Sequence, residues 1–211
     1  MIATKSPIRK QRPTKVPDYL VYEIMDGKPI YYKGYREVLS GTKQVAEIMG
    51  NSKLQSFILD YLLTTLILHF GGKRKYHFFT GENGLHLSNK NNLAGDLHIF
   101  EKAKIPAIAI DGHYADVPPK VAIEIDISAD VADMGDDGYI YTKTQKLLDF
   151  GTERVIWVTT KAQKILIATP DAAWQVVNWN QTVLLLEDCS FNLHQHFDNE
   201  GIDPKSLISK G

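Results

Sequence analysis

Residues 118–128, PPKVAIEIDIS, form the stretch around which the rest of this chain is arranged. Side chains alternate between the two faces of a β-strand, so the isoleucines of this stretch fill one face. Glu124 and Asp126 are then expected to project together from the other face. Two neighbouring carboxylates repel one another unless a proton or a cation lies between them. The stretch therefore predicts a central strand that carries part of a metal-dependent site.

The segments on either side of this strand also place polar groups in apolar surroundings. Residues 95–100, GDLHIF, predict a strand on which Asp96 and His98 share one face. After the central strand, a helix is predicted from the acidic pair at 136–137 to Gly151, because negative charge suits a helix N-terminus. Lys143 follows the three-and-four spacing of its apolar stripe. A strand over 155–160 then completes a right-handed parallel crossover.

The remaining patterns predict the other elements of one mixed sheet. A hairpin is expected around Asp26, and a capping box starting at Ser52 predicts a helix to residue 70. A short helix is expected over 42–49, and two strands joined by a loop are expected at 76–80 and 85–88. Three antiparallel strands are expected to finish the sheet, at 164–168, 174–179 and 182–187. The predicted fold class is α/β of the mixed α+β kind, with a mixed β-sheet flanked by helices.

Composition indicates one soluble globular domain in a chain of 211 residues. We expect a basic, proline-containing N-terminal arm over residues 1–17, a domain over 18–200 and a C-terminal tail over 201–211. Another small basic cluster lies at 73–75. The net charge of −1 does not by itself indicate a polyanionic partner, although the arm has the charge to contact nucleic-acid phosphates.

Several classes of site are excluded by the residue types present. A single cysteine, Cys189, rules out an internal disulfide and cysteine-based zinc clusters. The chain starts without the apolar core of a signal peptide, and its longest apolar run is too short to span a bilayer. We therefore expect a cytoplasmic protein with no membrane partner.

The candidate catalytic residues are Asp96, Glu124 and Lys143, with Asp126 as an assisting group. Carboxylates from two adjacent strands suit a hard cation such as Mg²⁺ or Mn²⁺, with waters and a substrate phosphate completing the shell. Asp96 and Glu124 are the expected metal ligands. A lysine beside them would orient the attacking water or stabilise developing negative charge.

These residues resemble a known family. The run GDLHIF (95–100), PPKVAIEID (118–126) and YTKTQKLLDFGTERVIWVTT (141–160) is similar to the Uma-type restriction endonuclease family of the PD-(D/E)XK nuclease superfamily. The resemblance covers roughly residues 20–200. It implies a restriction-endonuclease-like fold and a metal-dependent endonuclease that hydrolyses DNA phosphodiester bonds. It also leaves a homodimer open, since many nucleases of the superfamily are dimers.

Carried over residue by residue, the family motif places its aspartate at Asp96, its glutamate at Glu124 and its helical lysine at Lys143. Lys146 is the fallback for the lysine. Two departures stand out: Gly95 replaces the proline that usually precedes the aspartate, and Asp126 stands where the superfamily usually has the lysine of its E-x-K motif.

The second departure keeps an alternative open. A nuclease fold retained as a DNA-binding or assembly module, without catalysis, would explain the missing E-x-K lysine. A metal-dependent hydrolase of small phosphorylated substrates is a third hypothesis. Cleavage assays with Glu124→Ala, and competition between nucleotides and duplex DNA, would separate the three.

Overall fold

The computed structural model describes residues 15–71 and 75–208. Most of the predicted basic arm (1–14), two residues of the basic cluster (73–74) and the last residues of the predicted tail (209–211) lie outside this range. The division into an arm, a domain and a tail therefore stays a prediction.

The described chain forms a mixed β-sheet with helices on both faces, and a small second sheet packs into the apolar cluster on the α2 side. The sheet order is β2-β1-β4-β5-β6-β7-β8, with β3 also paired to β4, and β9 and β10 form the second sheet. The elements in chain order are β1 (Val21–Met25), β2 (Lys28–Tyr31), α1 (Tyr35–Leu39), α2 (Lys53–Phe70), β3 (Tyr76–Ser88), β4 (Asn91–Glu101), β5 (Val121–Ile125), α3 (Asp136–Phe150), β6 (Arg154–Thr159), β7 (Lys164–Ala168), β8 (Gln175–Asn178), β9 (Val183–Leu186), β10 (Cys189–Phe191), α4 (Leu193–Asn199) and α5 (Lys205–Ile208).

The predicted parallel crossover lies at the centre of the sheet. Strand β5 pairs in parallel with β6 through α3, and it pairs antiparallel with β4 on its other side. Helix α3 ends at Gly151, which adopts a left-handed conformation with φ of 112°. A side chain there would be strained, and its β-carbon would lie 3.2 Å from the ring of Pro118, which precedes β5. The end of the helix and the start of the central strand are thus packed together.

Helices α2 and α3 cover opposite faces of the sheet. Helix α2 begins with the predicted capping box, in which Ser52 and Gln55 each accept a backbone N–H of the other. Its buried leucines and Ile58 pack on Ile123 and the residues of the same strand face. Helix α3 packs on the other face, where Leu147 meets Ala122 and Trp157. Because Ala122 and Glu124 alternate with Ile123, Glu124 lies on the α3 side.

Three of the expected elements are wrong in detail. Residues 76–88 form one continuous strand, because the irregularity between Thr80 and Asn83 is a bulge in the pairing with β4 and not a loop. No α-helix covers 42–49; a short helix precedes that segment, and a single 3₁₀ turn occupies Val45–Glu47. Strand β9 does not complete the main sheet, since it pairs with β10 in the second sheet.

The C-terminal part of the described chain packs on the core. Ile202 and Leu207 contact the cluster of apolar residues beneath α2. Within residues 15–71 and 75–208, none of the helices combines the length and the apolar character that crossing a bilayer requires.

Candidate active site

Lys143 is the centre of a charged cluster in the interior. Its position on the apolar stripe of α3 buries it, and only 1% of its side chain is exposed. The ammonium donates to the backbone oxygen of Ala94 at 2.7 Å and to Glu124 Oε2 at 2.9 Å, and it lies 2.8 Å from Glu23 Oε1. Burial lowers the pKa of Lys143, but the two carboxylates outweigh this effect and raise it above its ordinary value.

Glu23 belongs to this cluster, although the sequence did not single it out. It lies on β1 with its side chain fully buried. Besides contacting Lys143, it accepts the backbone N–H of Ala94 at 3.0 Å and the hydroxyl of Tyr139 at 2.7 Å. Glu23 therefore joins strands β1 and β4 to helix α3. The sequence could have indicated Glu23, because it is an acid between apolar neighbours in a predicted strand. The same pattern indicated Glu124.

Glu124 projects from β5 towards Lys143, as expected. Its Oε2 atom accepts from the ammonium, whereas its Oε1 atom is buried and has no hydrogen-bond partner among the described residues. Burial raises the pKa of Glu124 to about 8, although the nearby ammonium lowers it. A buried carboxylate oxygen without a partner is costly, so this atom is open to a proton or a cation.

Asp96 lies on β4, the strand that pairs with β5. Its Oδ2 atom accepts the backbone N–H of Ile125 at 2.6 Å, which fixes the carboxylate beside Glu124. Burial raises the pKa of Asp96 to about 6, against the opposing effects of that hydrogen bond and of Lys143. Asp96, Glu124 and Lys143 therefore converge from three elements. Burial disfavours the ionised form of both carboxylates.

His98 shares the face of Asp96 and is completely buried. Its Nδ1 atom is hydrogen-bonded to the side-chain oxygen of Asn83, whose amide group donates to the backbone oxygens of Phe79 and Gly95. Because the asparagine oxygen can only accept, Nδ1 carries the proton and Nε2 is left with a lone pair and no partner among the described residues. Burial lowers the pKa of His98 to about 3, so the ring is neutral.

Gly95 leaves the space that the histidine occupies. A β-carbon at Gly95 would overlap His98 Nε2 and would lie 3.0 Å from Glu124 Oε1. The missing side chain at Gly95 allows a buried imidazole to pack beside the glutamate.

Asp126 does not share the face of Glu124, contrary to expectation. Strand β5 ends at Ile125, and Asp126 has a φ of 59°, which turns its side chain away from the alternation of the strand. Its carboxylate accepts the backbone N–H of Thr160 at 2.7 Å and the Thr160 hydroxyl at 2.6 Å. These contacts link the ends of β5 and β6. They do not support the assisting role that was expected for Asp126.

Lys146 does not substitute for Lys143. Its ammonium lies 2.6 Å from the carboxylate of Asp26, a mostly exposed residue in the β1–β2 turn. The lysine that reaches the buried carboxylates is Lys143.

The donor atoms fit a hard cation held by few protein ligands. Within the described part of the chain, no three histidine, cysteine or acidic residues are grouped so as to enclose a metal ion. Asp96 and Glu124 would supply two carboxylates, and Glu124 Oε1 is unpartnered. Mg²⁺ is commonly bound through one or two carboxylates, with waters and substrate phosphates as the other ligands. In addition, three buried carboxylates face one ammonium, so a divalent cation would balance the charge if all are ionised.

Comparison with solved structures gives a match to the same architecture. A protein from Anabaena variabilis, described as a "putative nuclease belonging to DUF820", matches with a TM-score of 0.59 over 89% of each chain. The chain has the fold of that nuclease. The two sequences are 16% identical, so the match establishes the fold, and it confirms the structural side of the resemblance seen in the sequence. No protein-family model matches the chain, and no curated protein matches it.

Proposed function

We propose that this protein is a metal-dependent endonuclease that hydrolyses DNA phosphodiester bonds, with Mg²⁺ or Mn²⁺ as its cofactor. The observation that carries the proposal is the convergence of Asp96, Glu124 and Lys143 at one buried point of a nuclease fold. Folding alone gives no reason for this arrangement, because buried charges cost stability unless they are fully paired.

Asp96 and Glu124 are the residues that would hold the ion. A bound divalent cation would polarise an oxygen of the substrate phosphate and lower the pKa of a bound water. The hydrogen bond from Ile125 orients the Asp96 carboxylate, and the hydrogen bond from Lys143 orients that of Glu124. Both carboxylates are therefore held in place before substrate arrives, which is the condition for efficient electrostatic catalysis.

Lys143 is the candidate catalytic cation. Its charge would stabilise the negative charge that develops on the phosphate, and it also anchors Glu124. Glu23 and the Ala94 carbonyl hold the ammonium from the other side. We assign Glu23 the role of positioning Lys143.

The test is DNA cleavage by the full chain and a matched pair of variants. Glu124→Gln keeps an oxygen for Lys143 but removes the carboxylate. Asp126→Asn alters an acid two residues away whose carboxylate is hydrogen-bonded to Thr160. We expect wild type and Asp126→Asn to cut plasmid, linear and single-stranded DNA with Mg²⁺ or Mn²⁺ and to be inactive in EDTA. Glu124→Gln should lose at least about 100-fold in rate. Equal activity of Glu124→Gln and wild type would overturn the proposal.

One observation favours the second candidate function, a nuclease-fold module that binds DNA without cutting it. The ammonium of Lys143 has an acceptor for each of its three N–H groups, which is also what a purely structural ion cluster would show. DNA binding unaffected by metal ions, with no cleavage by any variant, would establish this alternative.

A further inference from the structure

Tyr114 is an exposed aromatic residue whose position is fixed by the backbone around it. It lies in the segment between β4 and β5, and 59% of it is accessible. The next residue, Ala115, donates its N–H to Gly84 and accepts the N–H of His86, so the segment is hydrogen-bonded to β3 on both sides of Leu85. The tyrosine is therefore not on a freely moving part of the loop.

Gly84 fixes the ring itself. A β-carbon at Gly84 would overlap the Tyr114 ring, so the ring lies directly over the glycine backbone. One side of the ring is thus packed on β3, while most of the residue remains open to solvent. An exposed tyrosine with only packing on one side has no evident role in the stability of the core.

This ring borders a cavity that lies beside the charged cluster without opening onto it, since the side chain of Glu23 is inaccessible. The cavity has a volume of about 360 Å³, and its lining includes Tyr114, Tyr22, Glu23 and Ala94. Glu23 and Ala94 are two of the groups that hold the Lys143 ammonium. The neighbouring ring of Tyr32 contacts Tyr22 edge to face with centroids 5.0 Å apart. Burial and the hydrogen bond to Glu82 raise the pKa of Tyr32, and Tyr114 is close enough to add a smaller contribution.

The lining favours a base over a phosphate. No lysine or arginine is among the described residues that line the cavity, so it offers a phosphate no cationic side chain. It offers aromatic faces, and stacking on aromatic side chains is how proteins hold the bases of single-stranded nucleic acid without reading sequence. A base inside a duplex cannot present its face to such a ring.

We propose that Tyr114 is a stacking platform for a base of single-stranded DNA, held beside the buried carboxylates by packing on Gly84. This inference rests on the proposed function and specifies its substrate: a single strand, or a locally unpaired one, recognised next to the cluster of Glu23, Glu124 and Lys143.

The test measures binding without metal, so that it is independent of cleavage. Fluorescence anisotropy of a labelled oligonucleotide of about ten nucleotides, in EDTA, would compare wild type, Tyr114→Ala and Tyr114→Phe. The control is Tyr141→Ala, since Tyr141 on α3 is similarly exposed, at 61%, but its ring packs on Trp174 and does not line the cavity. Tyr114→Ala should weaken binding at least about fivefold, because stacking on one aromatic ring contributes about 1–3 kcal/mol per base. Tyr114→Phe and Tyr141→Ala should bind like wild type.

A second variant moves the ring without removing it. Gly84→Ala should displace Tyr114 and weaken binding in protein whose circular dichroism matches wild type. Three results would overturn the proposal: no binding of the single strand by wild type, wild-type binding by Tyr114→Ala, or an equal loss in Tyr114→Phe. Failure of the nuclease proposal would appear separately, as absence of cleavage with metal while single-strand binding persists.

Discussion

At the level of single residues, Lys143 and Glu23 form a buried ion pair inside the charged cluster. Both side chains are essentially inaccessible, and the ammonium and the carboxylate are 2.8 Å apart. Without the Glu23 carboxylate, the ammonium would keep only one carboxylate partner, Glu124, and the N–H of Ala94 and the hydroxyl of Tyr139 would lose their acceptor. Breaking a buried, hydrogen-bonded pair in this way costs more than the net worth of the pair.

Glu23→Ala is therefore expected to lower the free energy of unfolding by about 3–5 kcal/mol. The matched control is Lys146→Ala, which removes the surface pair with Asp26 and should cost less than about 1 kcal/mol. Urea denaturation of both variants measures the difference. If the two variants lost the same stability, the buried cluster would not be acting as an ion pair.

The pKa values of Asp96 and Glu124 predict an unusual dependence of stability on pH. Burial raises them to about 6 and about 8, above the values these groups have in the unfolded chain. The unfolded chain therefore loses these protons first, and the two groups destabilise the folded state progressively as pH rises from about 4 to about 8. The pKa of Lys143 is raised, so its charge does not change over this range.

Without divalent cations, wild type should lose stability relative to Glu124→Gln as the pH is raised from about 5 to about 9. Glutamine cannot ionise, so the variant lacks the larger of the two contributions. Urea denaturation in EDTA at several pH values measures this difference. A constant gap between the two proteins across that range would show that Glu124 titrates normally.

The sequence predicted that Asp96, Glu124 and Lys143 lie together, which the structure shows, but it missed Glu23 and misplaced Asp126. Spacing within a helix places Lys143 correctly, because α3 is regular and long. Strand alternation fails for Asp126, because the strand ends at Ile125 and Asp126 itself has a positive φ. Glu23 lies far from the motif in sequence, and only the pairing of β1 with β4 brings it to the site.

At the level of elements, β4 carries the densest part of the site. Asp96 is a candidate metal ligand and His98 is a buried imidazole. Gly95, which has no side chain, lets His98 and Glu124 lie close to the backbone of β4. A β-carbon at position 95 would overlap the ring of His98. A side chain at position 95 and an imidazole at position 98 therefore cannot both fit without a shift.

Gly95→Ala should destabilise the protein strongly, and the cost should be smaller when His98 is also changed to alanine. The reason is that the smaller side chain at position 98 removes the overlap. A double-mutant cycle from urea denaturation would show a coupling energy of about 0.5–3 kcal/mol. Additive losses would mean that the two residues do not compete for the same space.

Two of the elements that the sequence misassigned share a physical cause. Residues 81–84, with two glycines, have the composition of a turn, but ten cross-strand partners on β4 keep β3 continuous through a bulge. Strand β9 has the pattern of a sheet strand, and it pairs with β10 instead of β8. In both cases the secondary structure depends on which strands pair in the folded protein, and local composition does not predict that pairing.

At the level of the whole molecule, the mixed sheet brings acids from β1, β4 and β5 to the face that α3 covers with Lys143. Three carboxylates and one ammonium leave an excess of negative charge in the interior if all are ionised. Burial raises the pKa values of Asp96 and Glu124, and the neighbouring carboxylates add to this effect. A divalent cation would allow both carboxylates to ionise, and proton release should accompany its binding.

Calorimetric titration of Mn²⁺ into wild type, Glu124→Gln and Asp126→Asn tests the central claim, a metal site formed by Asp96 and Glu124, most directly. We expect wild type and Asp126→Asn to bind one ion, with proton release visible as a dependence of the heat on the buffer, and Glu124→Gln to show no such binding. Identical titrations of wild type and Glu124→Gln would contradict the metal site and, with it, the proposed enzyme.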